Sequence, residues 1–371
     1  PVGRDCFVAG RVTMLWVDKH RPTQLDKLDF HPDLTQQLKR MTSEEAVGNM
    51  SHLLFYGPSG AGKKTRVMAL LREIYGPGVE KMKVEVRNFK FKSNNVELTF
   101  IGSNYHIELN PSDVGPYRDR EVAQEVIKEI AQSHAPSTAA GGLFKVIVLN
   151  EVDKMSRDAQ AALRRTMEKY TSSCRFVLVC NNACKVIEPV RSRCIAMRVP
   201  APAKGDVKKV LHAVCNKERT PLPEGLAERV AVASGRNVRR ALLMVEACKV
   251  KQSALSEDQE VEAPDWERFV GMIAANILEE QTPQRLLQIR AQVYELLSAC
   301  IPPEMVMQRL TVELLKKLDD SLKPEVLLQA AFYEHRLNLG SKPIFHIEAF
   351  VAKVMAAYKK WSIEFMEMMD D

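Results

Sequence analysis

Two short stretches carry residues that could handle a chain of phosphates. The first reads Gly57-Pro58-Ser59-Gly60-Ala61-Gly62-Lys63-Lys64-Thr65, with the spacing glycine, four residues, then Gly-Lys. Glycines at those places let backbone N–H groups close on phosphate oxygens at the positive end of a following helix. Lys63 brings a mobile point charge to the terminal phosphates. The pattern next asks for a Ser or Thr hydroxyl to hold magnesium, and Lys64 stands there instead. Thr65 is one residue late: a helical step turns a side chain by about 100°, so its hydroxyl points away from the metal position. A second ammonium at Lys64 also opposes a divalent ion.

The second stretch has a matching defect. Phe144 to Leu149 is an apolar, β-branched run suited to a central parallel strand, and it ends in Asn150-Glu151-Val152-Asp153. Asp-Glu at that strand end would offer one carboxylate to a magnesium shell and one to orient an attacking water. Asn150 takes the first place, and an amide is a poor ligand for a hard cation. Glu151 keeps the second place. The competing readings are an ordinary glycine-rich turn and a coincidental Asn-Glu. The flanks favour the functional reading. His52 to Tyr56 reads as a short buried strand, and Val67, Met68, Leu70, Leu71 and Ile74 recur at helical spacing over Thr65 to Tyr75.

The elements that must position these loops alternate along the front of the chain. Leu15 to Pro22 reads as an extended segment closed by proline, followed by a helix with Leu34 and Leu38 on one face. Val84–Phe91 and Glu97–Gly102 read as a hairpin split by Lys92-Ser93-Asn94-Asn95. Tyr105–Leu109, Arg175–Cys180 and Ala196–Val199 read as core strands. Asp119–Ser133 is a helix burying Val122, Val126, Ile127 and Ile130, and His134–Gly142 is a small-residue loop. Strands alternating with helices predict a three-layer α/β domain. Pro200-Ala201-Pro202 marks a boundary, after which everything reads as helix. The segments are Lys204–Lys217, Pro223–Ser234 and Val238–Val250, then, past a polar linker, Trp266–Glu280, Arg285–Ala299, Pro302–Leu318, Pro324–Leu339 and His346–Lys360. The expected organisation is an extension at 1–13, an α/β nucleotide-binding domain at 14–199, a helical lid and linker at 200–262, and an all-α domain at 263–371.

The chain of 371 residues is long enough for two or three domains, and its net charge of +6 is unevenly spread: −4 from Ala263 onward and +10 before it. A basic front suggests that this part faces a polyanion, although a merely solvated surface explains it nearly as well. Eight cysteines have no Cys-x-x-Cys spacing, which argues against zinc and against a disulfide framework. There is no apolar run of about eighteen residues for a membrane span. Pro1 to Thr13 lacks a signal core and reads as a disordered extension, with Met14 as an ancestral start.

Two arginine features do not fit a self-contained enzyme. Arg193, in Pro189-Val190-Arg191-Ser192-Arg193-Cys194, could reach a nucleotide on a neighbouring subunit and stabilise charge building on its γ-phosphate. A plain surface arginine is the competing reading. Arg239, in Asn237-Val238-Arg239-Arg240, could fold back onto a phosphate. A helix start disfavours added cations, so it needs a partner, and an acidic neighbour would serve equally well.

Trp16-Val17-Asp18-Lys19-His20-Arg21-Pro22, Gly57 to Thr65, Asn150 to Asp153, Ala162-Leu163-Arg164-Arg165-Thr166-Met167-Glu168 and Ser192-Arg193-Cys194 together resemble the signature boxes of replication factor C small subunits, which are AAA+ clamp loaders. The Gly-Lys-Lys-Thr and Asn-Glu variants, with Leu339-Gly340-Ser341-Lys342 and His346-Ile347-Glu348-Ala349-Phe350, resemble the subunit 3 branch of animals and plants. The resemblance runs from Met14 to about Tyr358.

It implies an AAA+ domain, a three-helix lid and a helical collar that joins subunits. It implies a nuclear hetero-pentamer, with four other subunits, that opens a ring-shaped sliding clamp and places it on primer–template DNA. Carried onto this chain, Val17, Arg21, Pro22, Gly57, Ser59, Gly60, Ala61, Gly62, Lys63, Lys64, Thr65, Asn181 and Arg239 hold ATP or ADP. Asn181 and Arg239 are the two sensor positions, and magnesium is weak or absent, with no metal ligands assigned. Arg193 serves the adjacent subunit, and Glu151 is retained but idle. His20 departs from the usual Tyr. Arg118, Arg120, Lys154 and Arg157 are expected to meet DNA phosphates without base specificity. Three readings stay open: a hydrolysis-poor regulatory subunit, an autonomous ATPase using Glu151, and a scaffold with an empty pocket.

Overall fold

The computed structural model describes residues 14–43, 47–91, 94–115, 118–132, 144–171, 173–252, 255–261 and 263–370. The expected extension at 1–13 and the loop His134–Gly142 lie outside the described residues. The chain divides into two compact units between Val261 and Glu262. The sheet and the helices between Pro200 and Val261 lie together in the first unit.

The first unit is built on a seven-stranded sheet of order β2-β3-β4-β5-β6-β1-β7. The strands are β1 His52–Tyr56, β2 Lys83–Phe91, β3 Asn94–Gly102, β4 His106–Leu109, β5 Lys145–Leu149, β6 Cys174–Cys180 and β7 Cys194–Arg198. From β4 to β7 all neighbours are parallel. β2 and β3 extend the sheet as an antiparallel hairpin. Its turn is tighter than expected, because Asn94 and Asn95 pair with Phe91 and Lys90.

The parallel strands are apolar on both faces because both are covered. Val146 and Val148 of β5 pack with Val67 and Leu70 of the helix Lys63–Tyr75, while Ile147 and Leu149 pack on the other face with Ile127 and Leu163. The helical stretch Asp119–Gln132 contains one π turn, Val122–Val126, and buries Val122, Val126, Ile127 and Ile130. Register aligns the strand ends. Tyr56 lies opposite Cys180 and Arg198, and Leu109 lies opposite Leu149. The phosphate loop, Asn110, Asn150 and Asn181 therefore leave the sheet along one edge, where open parallel sheets take their ligands.

The helices Lys204–Lys217, Glu224–Ala233 and Val238–Lys251 form the lid, with Leu211, Leu226, Val230 and Val245 in its core. Trp16 is buried in the same cluster. The segment Leu15 to Pro22 is not extended as expected: Trp16–Lys19 makes a helical turn. Proline restricts chiefly the residue before it, here Arg21, and leaves Trp16 to Lys19 free to coil.

The second unit is all helix: Asp265–Glu279, Pro283–Ser298, Pro303–Lys317, Lys323–Leu339 and Pro343–Asp370. Ile277, Leu310, Leu314, Ile347 and Phe350 are in its core. The last helix exceeds the expected His346–Lys360 at both ends. Pro343 fits a first helical position, and no proline or glycine follows Lys360 to stop the helix. No described helix is long and apolar enough to cross a membrane.

Candidate nucleotide site

Between β1 and the helix Lys63–Tyr75 the chain must turn sharply, and Gly57 and Gly60 permit it. Gly60 has φ +72°, and a Cβ there would fall 1.7 Å from Asn237 Oδ1 of the lid. At Gly57 a Cβ would fall 1.9 Å from the Val199 carbonyl oxygen. The lid docks directly on this loop, with Val238 N–H donating to the Gly60 carbonyl at 3.3 Å.

Two cavities flank the loop and share Gly60, Gly62, Thr65 and Arg239 as lining. The larger, about 450 Å³, is walled by Val17, Pro22, Phe30, Val214 and Leu242, with Arg21 at its side. The smaller, about 240 Å³, is lined by Ser59, Lys63, Lys64, Asn150, Glu151 and Asn181. A chamber with one apolar wall, joined across a glycine loop to a polar, cationic one, suits a base with its phosphate tail. Gly57 and Ala61 line neither cavity, and Ala61 is buried. Arg239 faces both chambers and forms no ion pair among the described residues.

Lys63 is nearly buried and donates to the Gly57 carbonyl at 2.6 Å, the Pro58 carbonyl at 2.9 Å and Asn181 Oδ1 at 2.9 Å. Burial pushes its pKa below the ordinary lysine range, with Cys180 and Asp153 opposing the shift. Lys64 turns aside to Glu108 on β4, its Nζ 2.6 Å from Oε2. Glu151 sits at φ +53°, an uncommon conformation for a non-glycine residue, and its carboxylate pairs with Lys154 at 2.8 Å. Asp153 accepts the backbone N–H groups of Asn181 and Asn182, both at 3.1 Å, tying the ends of β5 and β6 together. Among the described residues no cluster of His, Cys, Asp or Glu could hold a metal ion. An ammonium, Lys64, and an amide, Asn150, stand at the two positions where the sequence patterns ask for magnesium ligands, with Glu151 beside them.

The N-terminal segment is clasped to the lid. Glu218 accepts from Lys19 Nζ at 2.6 Å and contacts His20 Nε2 at 2.5 Å. Lys19 first, then His20, hold the Glu218 pKa down at about 2. His20 therefore lines the larger cavity while bonded to the lid.

Arg193 lies outside both cavities. Its guanidinium contacts Glu168 Oε1 at 2.8 Å through Nε and 2.6 Å through a terminal nitrogen, and donates to the Pro189 carbonyl at 2.7 Å. Arg120 is 4.0 Å from Asp158, and Lys154 is held by Glu151. Arg118 and Arg157 open the helical stretches 119–132 and 157–169 respectively, Arg118 as the cap and Arg157 as the first residue.

Sequence reasoning missed Phe30, Arg66, Glu108, Asn110 and Glu218. Arg66 is fully buried, donates to the Phe30 carbonyl at 2.7 Å, and is pushed down to about 10 by burial. Glu108 had a readable signal, because His106 and Glu108 share one face of a core strand and an acid there must find a cation.

Family models match in three places: "Replication factor C subunit 3, C-terminal domain" over residues 266–362, "RCF1/5-like, AAA+ ATPase lid domain" over 209–250, and "DNA polymerase III, delta subunit" over 30–203. Replication factor C subunit 3 of Mus musculus is 53% identical over 356 residues, covering 96% of this chain and 99% of that protein. The Homo sapiens protein gives the same identity and coverage. That of Arabidopsis thaliana is 51% identical over 354 residues, covering 94% and 99%. The sheet, phosphate loop and lid are those of the AAA+ fold, a nucleotide-binding architecture. With that identity across nearly the full length of both chains, this protein belongs to the replication factor C subunit 3 family.

Proposed function

We propose that this chain is the nucleotide-holding, hydrolysis-poor subunit of a replication factor C clamp loader in the nucleus. The observation that carries this reading is the composition of the smaller cavity. It keeps the groups that grip phosphate, Lys63 and Arg239, while Lys64 and Asn150 replace the two groups that would grip magnesium. Binding and cleavage draw on different atoms, and only those for binding are complete. ATP or ADP would sit with its base against Val17, Pro22, Phe30 and Leu242 and its phosphates over Gly60 to Thr65. Thr65, Asn181, Arg21 and Ser59 would contribute along the way.

In this reading Arg193 serves the neighbouring subunit. It sits outside the chain's own cleft, and a solvent-facing guanidinium can exchange Glu168 for a phosphate at small cost, because exposed ion pairs contribute little. Four further subunits, a sliding clamp and primer–template DNA complete the assembly. Arg118, Arg120, Lys154 and Arg157 would meet the DNA backbone.

The test uses the reconstituted complex. Arg193→Ala should lower its DNA- and clamp-stimulated ATPase by about tenfold or more while the five subunits still co-elute. Undiminished turnover would refute the role in trans.

A further inference from the structure

Three carboxylates sit at or just past the ends of β4 and β5, and each is already committed. Glu151 holds Lys154, Asp153 holds the backbone N–H groups of Asn181 and Asn182, and Glu108 faces Lys64. The last pair is the unusual one. Glu108 is 2% exposed on a core strand, and neither of its oxygens has an aligned hydrogen bond among the described residues. The contact with Lys64 Nζ at 2.6 Å is therefore its charge compensation. A buried carboxylate without a cation is strongly unfavourable, so the ammonium is pinned. The pair is also oriented. Lys64 lines the phosphate cavity and Glu108 does not, so Lys64 is the member of the pair beside the ligand.

We propose that this pocket takes its nucleoside di- or triphosphate as the metal-free anion, with the Lys64 ammonium, fixed by Glu108, supplying the positive charge that a divalent ion supplies in a hydrolysing site. A magnesium ion entering with the nucleotide would meet Lys63 and Lys64, with no carboxylate released to offset the repulsion. A free polyphosphate meets both ammonium groups and Arg239. The arrangement makes the site a retainer of nucleotide that is indifferent to magnesium. The inference rests on the pocket being a nucleotide site, and the experiment separates the two.

ADP binding to the full chain is measured by calorimetry in excess magnesium and again in excess chelator. The dissociation constants should agree within about threefold, whereas a loss of about tenfold or more in chelator would overturn the inference and leave nucleotide binding intact. Absence of binding under both conditions would overturn the nucleotide reading and this inference with it. The second arm removes both charges together. Lys64→Met alone strands Glu108 and risks unfolding, so Lys64→Met with Glu108→Gln is the informative protein. Its ADP affinity in chelator should fall by about tenfold or more relative to the parent. Unchanged affinity in a double variant that melts like the parent would show that Lys64 does not stand in for the ion.

Discussion

The two ends of the nucleotide cleft are built to different standards. The base end has an apolar wall of Val17, Pro22, Phe30, Val214 and Leu242 with charged groups around it, and is lined by three separate parts of the chain: the Val17 to Thr23 segment, the stretch around Phe30 and the lid. The phosphate end has the glycine loop, Lys63 and Asn181 in contact, yet its magnesium positions carry Lys64 and Asn150. The contrast teaches that holding a nucleotide and splitting one are separable. In the proposed reading the chain keeps the first apparatus, Lys63, Asn181 and Arg239, and of the second only Glu151.

The largest effect expected from breaking this contrast is at Lys63. Lys63→Ala removes the central phosphate cation, a charged hydrogen-bond donor worth up to about 3 kcal/mol, and should weaken ADP by about a hundredfold in calorimetry. A buried arginine far from the cleft sharpens the comparison by behaving oppositely. Arg175 donates to the Met50, Thr171 and Cys174 carbonyls and stacks on Phe144 at 4.5 Å. Arg175→Met should cost about 2–3 kcal/mol in chemical denaturation by stranding buried acceptors, with ADP affinity unchanged in the folded fraction.

Arg239→Ala should cost about tenfold in affinity, because this arginine faces both chambers without an ion-pair partner among the described residues. The smallest effect lies at the base end. The folded-state pKa of Glu218 is lowered from 4.5 to about 2, so the clasp it makes is fully present above 4.5 and is lost as pH falls toward about 2. Glu218→Gln should flatten the acid limb of a pH–melting profile over that window and change ADP affinity at neutral pH by less than about threefold.

Much of this was legible in the sequence, and the limit was sequence separation. Glycine spacing fixed the loop, and periodicity fixed β1, β5 and the helices around them, because each signal lies within a dozen residues. Asn150 and Lys64 stood out by position alone. The partners did not. Lys64 finds Glu108 on another strand, and His20 finds Glu218 in the lid, 198 positions away. No local pattern encodes such pairs. The helical turn at Trp16 escaped for the same reason: what packs that ring is a lid cluster, with Lys249 4.8 Å over it.

The most direct test is a single-turnover assay, with the full chain in excess over ATP and magnesium present. The expected result is ATP bound and recovered uncleaved, with Glu151→Gln indistinguishable from the parent. Cleavage to ADP that disappears in Glu151→Gln would contradict the separation of holding from splitting on which the proposed role depends.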